Sequence, residues 1–286
     1  MAYNLLKGKK GLIFGALNDQ SIAWKVAERA VEEGAEIVLS NAPVSFRFGD
    51  INQLADKLKA FTYPCDVSKL EEVEELIDKC MEHFGGPFDF ILHSIGMSMN
   101  VRKGNTYDKL NYDYYMRDLD VSALSFHKVL QVARAKDALN EWGSVLGLSY
   151  IAAQRTFFGY NDMAEAKAVL ESIARSFGYI YGRDKNVRVN TISQSPTKTT
   201  AGNGIKGFDM LYEYADINSP MGNATADECA DYCVVMFSDL TRKVTMQNLF
   251  HDGGFSSIGV TSRAFEQFSE CHLRKLEEQD KNEKKA

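Results

Sequence analysis

The sequence lacks paired cysteine spacings, an excess of basic residues and long apolar runs. Its 286 residues include five cysteines, and only Cys229 and Cys233 lie close together, one helical turn apart and not at a metal-knuckle spacing. We therefore expect free thiols in a reducing cytosol and no bound metal ion. The formal net charge of -6 disfavours a nucleic-acid partner, because phosphate binding needs clustered Lys and Arg.

No stretch of the chain reaches the roughly 20 consecutive apolar residues that cross a bilayer. The first residues, MAYNLLKGKKGLIFGA, enter a strand pattern with no secretory core. We therefore expect a cytoplasmic protein with no membrane partner. No internal repeat or low-complexity linker interrupts the chain. This predicts a single catalytic domain over residues 1–260, followed by a charged, solvated tail over 261–286.

Apolar strand-like runs alternate with amphipathic helical segments along the chain. The predicted strands are 9–15, 35–40, 61–67, 88–96, 143–150, 187–193 and 248–254, and the main predicted helices are 21–34, 69–85, 112–139, 161–181 and 226–239. The alternation implies parallel βαβ units, and continuous apolar strands indicate a sheet covered on both faces. The predicted fold class is α/β, a single-domain Rossmann-type doubly wound parallel sheet of about seven strands. Ligands of such sheets bind outside the carboxyl ends of the strands.

The end of the first predicted strand, FGALNDQSIA, lacks the GxGxxG pattern of dinucleotide-binding proteins. Gly15 alone stands where a phosphate-binding loop needs glycine, and an ordinary strand-to-helix turn would explain it equally well. Ser21 is a suitable N-cap for a helix that begins at Ile22, whose free N–H groups could bind a pyrophosphate. Asp66, after the third strand, fits either an adenine contact or a helix N-cap. No acid directly follows the second strand and Arg47 is the nearest base, so NADH and NADPH both remain open.

Tyr160 and Lys167 follow the fifth strand, which ends at Ser149 and Tyr150. Seven residues make two helical turns, so Tyr160 and Lys167 would share a face if the helix already begins at Tyr160. A nearby ammonium favours a polarised phenol, which is a good hydrogen-bond donor to a developing oxyanion. Spacing alone also fits an exposed Lys and a half-buried Tyr on an amphipathic helix. The pattern becomes discriminating only together with the strand-end motifs.

Eight segments, in this order and spacing over about residues 5–260, give the chain a family resemblance: GALNDQSIA (15–23), CDV (65–67), HSIG (93–96), SYIAAQR (149–155), YNDMAEAK (160–167), RVNTIS (188–193), GIKGF (204–208) and HDGGF (251–255). The chain resembles the NAD(P)H-dependent enoyl-acyl-carrier-protein reductases of bacterial type II fatty-acid synthesis, a branch of the short-chain dehydrogenase/reductase superfamily. Ordinary members of that superfamily use Tyr-x3-Lys with a Ser thirteen residues before the Tyr. Those two positions are Ala164 and Gly147 here, which disfavours ketone reduction.

The resemblance implies reduction of the trans-2 double bond of an enoyl thioester carried by the acyl-carrier protein, in the last step of fatty-acid elongation. Hydride would pass from nicotinamide C4 to the β-carbon, and Tyr160 would hold the enolate oxygen. Lys167 would bind the nicotinamide ribose, and Tyr150 would line the acyl site. The implied cofactor is NADH, with NADPH also possible, and its implied contacts are Gly15, Ser21, Ile22, Asp66, Val67, Ser94, Ile95, Gly96, Lys167, Thr197 and Thr199.

The resemblance also implies a mobile substrate loop over about residues 199–216, with Phe208 and Leu211 as acyl contacts, and a homotetrameric assembly. Lys198 and Lys206 near that loop are either docking contacts for the acidic acyl-carrier protein or solvated surface residues. Two alternatives are another oxidoreductase of the superfamily, which needs the missing Ser and Tyr-x3-Lys, and a non-catalytic nucleotide sensor. A sensor has no need of the Tyr160–Lys167 chemistry.

The segment after the sixth predicted strand departs from the family pattern. The family usually has Ala-Gly-Pro there, whereas this chain has Gln194-Ser195-Pro196, followed by Thr197 where an Ile is common. Ser195 adds a Cβ and a hydroxyl close to the expected nicotinamide carboxamide. The change bears on local geometry and not on the reaction class.

Overall fold

The computed structural model describes residues 2–203 and 207–283, apart from the side chains of residues 201, 203 and 276–283. Seven parallel strands of the described chain form one sheet in the order β3-β2-β1-β4-β5-β6-β7. The strands are β1 Lys10–Phe14, β2 Glu36–Asn41, β3 Phe61–Pro64, β4 Phe88–His93, β5 Leu139–Ser149, β6 Arg188–Gln194 and β7 Asn248–His251. The predicted α/β class and strand number are confirmed.

Twelve α-helices cover the sheet and its edges in the described chain: α1 Ile22–Glu32, α2 Pro43–Phe48, α3 Ile51–Leu58, α4 Leu70–Phe84, α5 Met99–Lys103, α6 Tyr112–Leu119, α7 Ser125–Ala135, α8 Asp162–Lys185, α9 Thr200–Asn203, α10 Phe208–Asn218, α11 Ala226–Phe237 and α12 Ser262–Glu283. Short 3₁₀ turns lie at Tyr107–Lys109, Ile151–Ala153, Asp239–Thr241 and Phe255–Ser257. Helices α4, α7 and α8 pack on one face of the sheet, and α1, α3 and α11 on the other.

Both faces of the sheet are therefore buried, as the continuous apolar strands predicted. Leu12 and Phe14 of β1 lie in the core beneath α4, α7 and α8, while Ile13 between them faces α1. Each fully buried side chain of this size contributes roughly 1.5–3 kcal/mol by leaving water. The strand order reverses between β1 and β4, which places the ligand crevice where the carboxyl ends of these two strands diverge.

Several predicted boundaries were wrong. The stretch predicted as one helix over 112–139 contains α6, a π-helical turn at Asp120–Leu124 and α7, and β5 begins four residues earlier than expected, at Leu139. Helices α2 and α3 were missed, because their short segments carry too few periodic apolar residues to stand out.

Residues after the sheet form the long helix α12, and its described side chains are mostly exposed. Phe265 and Phe268 are 64% and 70% exposed. The Thr261 hydroxyl, just before the helix, donates to Asn218 Oδ1 at 2.6 Å and joins α12 to the end of α10. In the described chain, no helix combines the length and the apolar character that crossing a membrane requires.

Candidate active site

Gly15 lies at the strand-order reversal, directly after β1, and has φ of +99°. A Cβ at this position would lie 2.0 Å from the backbone oxygen of Ser94, which follows β4. Phe14 and His93 are register partners, so the two strand ends cannot separate without breaking the sheet. Only glycine combines this backbone conformation with so close an approach. Gly15 is therefore more than a turn residue, because it lets the two strand ends meet at the crevice.

Ser21 occupies the predicted N-cap position of α1, but its side chain does not cap the helix. The hydroxyl donates to Asn18 O at 2.6 Å and accepts from Leu17 N at 3.2 Å. The predicted boundary at Ile22 is correct and the expected side-chain cap is wrong. The first turn of α1 thus has no capping side chain, and helix N-termini of this kind attract anionic groups.

Asp66 Oδ1 accepts hydrogen bonds from Ser68 N at 3.1 Å and Ser68 Oγ at 2.7 Å. Burial opposes ionisation of this carboxyl, but the Ser68 hydrogen bonds and the charge of Lys69 hold its pKa below the ordinary value. The N-cap of α4 is Lys69, so Asp66 is not the cap itself. One face of Asp66 stays partly exposed at the end of β3, next to buried Val67.

The Lys167 amine lies at the carboxyl end of β5, where it donates to Leu148 O at 2.7 Å. A Cβ on exposed Gly96 would lie 3.5 Å from this amine, so Lys167 borders the segment Ser94–Gly96 that follows β4. Burial lowers the pKa of Lys167 to about 8, although the negative charge of Glu171 opposes the shift. The Lys167 amine is thus a buried hydrogen-bond donor, and the balance between burial and the Glu171 charge determines how readily it loses its proton.

Glu171 is a buried residue of this site that the sequence interpretation missed. Its carboxylate accepts from Ser149 Oγ at 2.7 Å and from Gln154 Nε2 at 2.9 Å. It lies one helical turn after Lys167 and so supplies an opposite charge inside the site. The available signal was an acid four residues after a lysine on a helix face that is otherwise apolar.

Tyr160 precedes α8, which begins at Asp162, one residue after the predicted start, so the condition that the helix already includes Tyr160 is not met. Its ring packs against Tyr150 with a centroid distance of 4.9 Å and an interplanar angle of 46°. In the part of the chain that the structure describes, the buried Tyr150 hydroxyl has no hydrogen-bond partner. Desolvation raises the pKa of both phenols, so both remain protonated donors at neutral pH. The β5 end therefore gathers two phenols and the Lys167 amine.

His93, the first residue of the HSIG segment, lies fully buried beneath these groups. Its Nε2 is 2.8 Å from Ser125 Oγ, whose hydroxyl donates to Val121 O at 2.6 Å. The Ser125 oxygen is therefore an acceptor for a proton on Nε2. Burial and, to a smaller extent, the charge of Lys167 lower the pKa of His93 to about 3, so the imidazole is neutral. Because the His93 ring is neutral, the positive charge beside it is that of the Lys167 amine.

The unusual Gln194 and Ser195 are fixed by neighbouring segments. Ser195 Oγ accepts from Ala224 N at 2.8 Å, and Gln194 Oε1 lies 2.7 Å from His251 Nδ1 of the neighbouring strand. Thr197 Oγ1 donates to Ser195 O at 3.0 Å. These contacts replace the compact Gly of the family pattern with a hydrogen-bonded turn.

The predicted substrate loop meets the segment that follows Gly15, where Asn18 Nδ2 donates to Thr200 Oγ1 at 2.7 Å. Thr199 Oγ1 accepts from Gly202 N at 3.0 Å, and a Cβ on Gly202 would lie 2.9 Å from the ring of buried Phe208. Leu211 is partly buried in α10. The exposed Lys198 amine lies 4.5 Å from the centroid of the Tyr212 ring. Lys206 and the rest of 204–206 lie outside the described residues.

Comparison with known proteins gives one family. The family model described as Enoyl-(Acyl carrier protein) reductase matches residues 15–256. Enoyl-[acyl-carrier-protein] reductase [NADH] 1 of Rhizobium meliloti is 33% identical over 261 residues, which cover 91% of this chain and 94% of that protein. The Rickettsia conorii enzyme FabI, also an NADH-dependent reductase by name, is 31% identical over 266 residues, covering 91% and 99% of the two chains.

Solved structures agree with the sequence matches. The FabI–NADH complex from Alistipes finegoldii superimposes with a TM-score of 0.91 at 69% identity, covering 92% of this chain and 93% of that one. A Bacillus cereus enoyl-acyl carrier protein reductase, solved with NADP+ and indole naphthyridinone, has a TM-score of 0.84 at 28% identity, covering 91% and 100%. The crevice, the paired phenols and these matches lead to the same assignment: the chain belongs to the enoyl-(acyl carrier protein) reductase family.

Proposed function

We propose that this chain reduces the trans-2 double bond of enoyl-acyl-carrier-protein thioesters with NADH, in the last step of fatty-acid elongation. The observation that carries the proposal is the meeting, at one strand end, of two protonated phenols and a buried amine. Tyr150 presents a buried hydroxyl that has no partner among the described residues, and Tyr160 packs against its ring. Such an arrangement suits a substrate oxygen that gains negative charge and needs donors in a water-poor pocket.

The crevice has the features that NADH requires. Gly15 places no side chain where the ends of β1 and β4 meet, and the first turn of α1, which has no side-chain cap, begins nearby at Ile22. We assign the diphosphate to this end, the adenine to Asp66 and Val67, and the nicotinamide end to Ser94–Gly96, Lys167, Thr197 and Thr199. When bound, NADH supplies the hydride that reduces the β-carbon.

The protein's own residues would then act on the thioester end of the substrate. The Tyr160 hydroxyl donates to the thioester oxygen as it becomes an enolate oxygen, and Tyr150 packs beside it against the acyl chain. The Lys167 amine holds the ribose hydroxyls, while Glu171 offsets the amine's charge in the absence of solvent. Phe208 and Leu211, in the proposed substrate loop 199–216, would cover the acyl chain and exclude water.

One spectrophotometric assay tests the activity. The purified chain is mixed with NADH and crotonyl-CoA, and the absorbance of the reduced cofactor is followed. We expect NADH oxidation with the enoyl thioester and none with acetoacetyl-CoA as the 3-oxoacyl control. Turnover restricted to the 3-oxoacyl substrate would assign the chain to ketone reduction, and NADH binding without turnover would assign it to nucleotide sensing.

The pKa of Lys167 predicts how NADH binding depends on pH. Below about pH 8 the amine is charged and can donate to ribose hydroxyls, and above it the amine loses its proton. Since binding favours the charged form, affinity should fall as pH rises, by about tenfold between pH 7 and 9.5. Titration of NADH fluorescence measures this. Lys167→Met should bind weakly at every pH, without the step, and a step that persists in the variant would exclude Lys167 as its origin.

Three further assignments accompany the activity. We propose residues 1–260 as the catalytic domain, 261–286 as an accessory tail, and the cytoplasm as the location. We propose a homotetramer as the assembly, supported by a partly apolar groove between α7 and α8 whose lining includes Val169, Ile173 and Ile180. Sedimentation of the assayed preparation gives the number of chains.

A further inference from the structure

The turn that presents Tyr160 has an unusual backbone. Asn161, between Tyr160 and the first residue of α8, has φ of +46° and ψ of −133°. These values lie outside the regions that side-chain-bearing residues normally occupy, including the left-handed helical region. A strained conformation of this kind persists only where surrounding contacts impose it. The contacts around Asn161 therefore fix the position of the backbone that carries the Tyr160 side chain.

Phe158 and Gly159, directly before Tyr160, cannot impose this conformation. Phe158 is fully exposed, and Gly159 is exposed with φ of +80° and, among the described residues, no atom within 4 Å of a Cβ built on it. Tyr160 N donates to Phe157 O at 3.2 Å within the same turn. Phe157 packs against Tyr150 and Phe255 and holds the turn on that side, and a second constraint comes from the residues that follow Tyr160.

Asp162, the first residue of α8, provides this second constraint. Its side chain is buried, and both carboxyl oxygens are used: Oδ1 accepts from Ser98 Oγ at 2.7 Å and Oδ2 accepts from Asn100 Nδ2 at 2.8 Å. Asn161 Nδ2 adds a bond to Asn105 O at 2.5 Å. All three partners lie in the segment 97–105, which directly follows the proposed nicotinamide contacts at Ser94–Gly96.

This segment is itself fixed from the opposite side. Met97 N donates to Ser122 Oγ at 2.9 Å, and Met99 N donates to Asp118 Oδ2 at 2.7 Å. The backbone of Met97 thus bonds to the π-helical turn and that of Met99 to α6, while the side chains of Ser98 and Asn100 bond to Asp162. Asp162 therefore joins the turn after Tyr160 to the segment 97–105, which is itself held in place by α6 and the π-helical turn.

The orientation of the Asn100 amide is also determined. Its Oδ1 accepts from Asn105 Nδ2 at 2.7 Å and from Asn111 N at 2.9 Å, so its amino group must face Asp162. Ser98 Oγ already accepts from Val101 N at 3.0 Å, which leaves its hydroxyl proton for Asp162. The Asn100 amide cannot turn away without breaking another bond, whereas the Ser98 hydroxyl also lies within reach of Asp118.

We infer that Asp162 is a positioning residue for the reductase reaction. Its carboxylate clamps the strained turn at Asn161 onto the segment 97–105 and so sets where the Tyr160 hydroxyl stands relative to the Ser94–Gly96 edge of the crevice. The inference rests on the proposed reductase function and adds to it a residue that does not touch substrate. A displacement of about 1 Å in a reacting group can lower a rate by about 100-fold, so small shifts of this turn matter.

The test compares Asp162→Ala with the isosteric Asp162→Asn and with Glu33→Ala. In Asp162→Asn the new amide can accept from Asn100 and donate to Ser98 Oγ, so the clamp is retained. Glu33 is an equally buried carboxylate that accepts from Tyr3 N and Leu5 N, remote from the crevice. Its variant therefore reports the general cost of losing a buried carboxylate. The measurements are the melting temperature, the NADH dissociation constant, and kcat and KM for crotonyl-CoA.

For Asp162→Ala we expect kcat to fall by about 10- to 100-fold at a temperature well below its melting transition, with the NADH dissociation constant within about twofold of the wild type. Asp162→Asn should recover most of kcat, and Glu33→Ala should lose stability with kcat unchanged. Wild-type kcat in folded Asp162→Ala, or equal losses in Asp162→Ala and Glu33→Ala, overturns the inference alone. If Asp162→Ala does not fold, Asp162→Asn is the decisive variant. A loss of kcat in folded Asp162→Asn also overturns the inference. A wild type without enoyl reduction overturns the proposed function as well.

Discussion

Tyr160→Phe should lower kcat for crotonyl-CoA by on the order of 100-fold while leaving NADH affinity unchanged. The removed hydroxyl is the proposed donor to the enolate oxygen, and loss of one such donor in a water-poor site typically costs a factor of 100 to 1,000. The rings of Tyr160 and Tyr150 remain in contact in the variant, because the phenyl group keeps the packing. Stopped-flow or steady-state measurements of NADH absorbance give kcat, and titration of NADH fluorescence gives the NADH dissociation constant.

Tyr181→Phe is the matched control for this variant. Tyr181 is also buried, and its hydroxyl donates to Leu130 O at 2.9 Å in the core between α7 and α8. Its loss should cost about 1 kcal/mol of unfolding free energy and a few degrees of melting temperature, with kcat intact. If Tyr160→Phe keeps wild-type kcat while Tyr150→Phe loses it, the donor is Tyr150 and our assignment of the two phenols is reversed.

Gly15→Ala should abolish detectable NADH binding. The added methyl group would lie 2.0 Å from Ser94 O, and the strand pairing of β1 with β4 prevents either backbone from retreating. The positive φ of Gly15 adds strain of about 1 kcal/mol or more for any side chain. Together these effects should close the crevice or distort both strand ends. Isothermal titration with NADH and circular dichroism separate loss of binding from loss of fold.

Gly8→Ala is the control for the backbone effect. Gly8 has φ of +75°, but no atom of the described residues lies within 4 Å of a Cβ built there. That variant should lose stability of about 1 kcal/mol and retain NADH affinity. If Gly15→Ala binds NADH as Gly8→Ala does, the close approach at Gly15 is not part of the cofactor site.

Local sequence patterns predicted the fold well because they are governed by short-range physics. The central strands were found as nearly continuous apolar runs, since both faces of the sheet are buried there, whereas the edge strands β3 and β7 are only partly buried. The turn chemistry was harder, because Ser21 was assigned the capping role its position suggests and instead bonds to Asn18 and Leu17. Position along a helix predicts a boundary better than it predicts the partner of a side chain.

The site was predictable only in part for a different reason. Tyr160 and Lys167 lie within one segment, and the family resemblance singled them out. The partners of Asp162 are Ser98 and Asn100, more than 60 positions away, and no periodicity connects residues so distant. The π-helical turn at Asp120–Leu124 likewise carries no local sign in the sequence. Contacts that depend on the packed sheet could not be found before the sheet was known.

The junction of α12 with α10 has a practical consequence for handling the protein. Because Thr261 bonds to Asn218 at the end of the helix that carries Phe208 and Leu211, we expect bulk added to the C-terminal helix to affect the proposed acyl cover. An affinity tag or a fused partner at that end would therefore perturb turnover measurements. The N-terminal end is the better attachment point, because the backbone N–H groups of Tyr3 and Leu5 donate to buried Glu33, away from the proposed acyl cover.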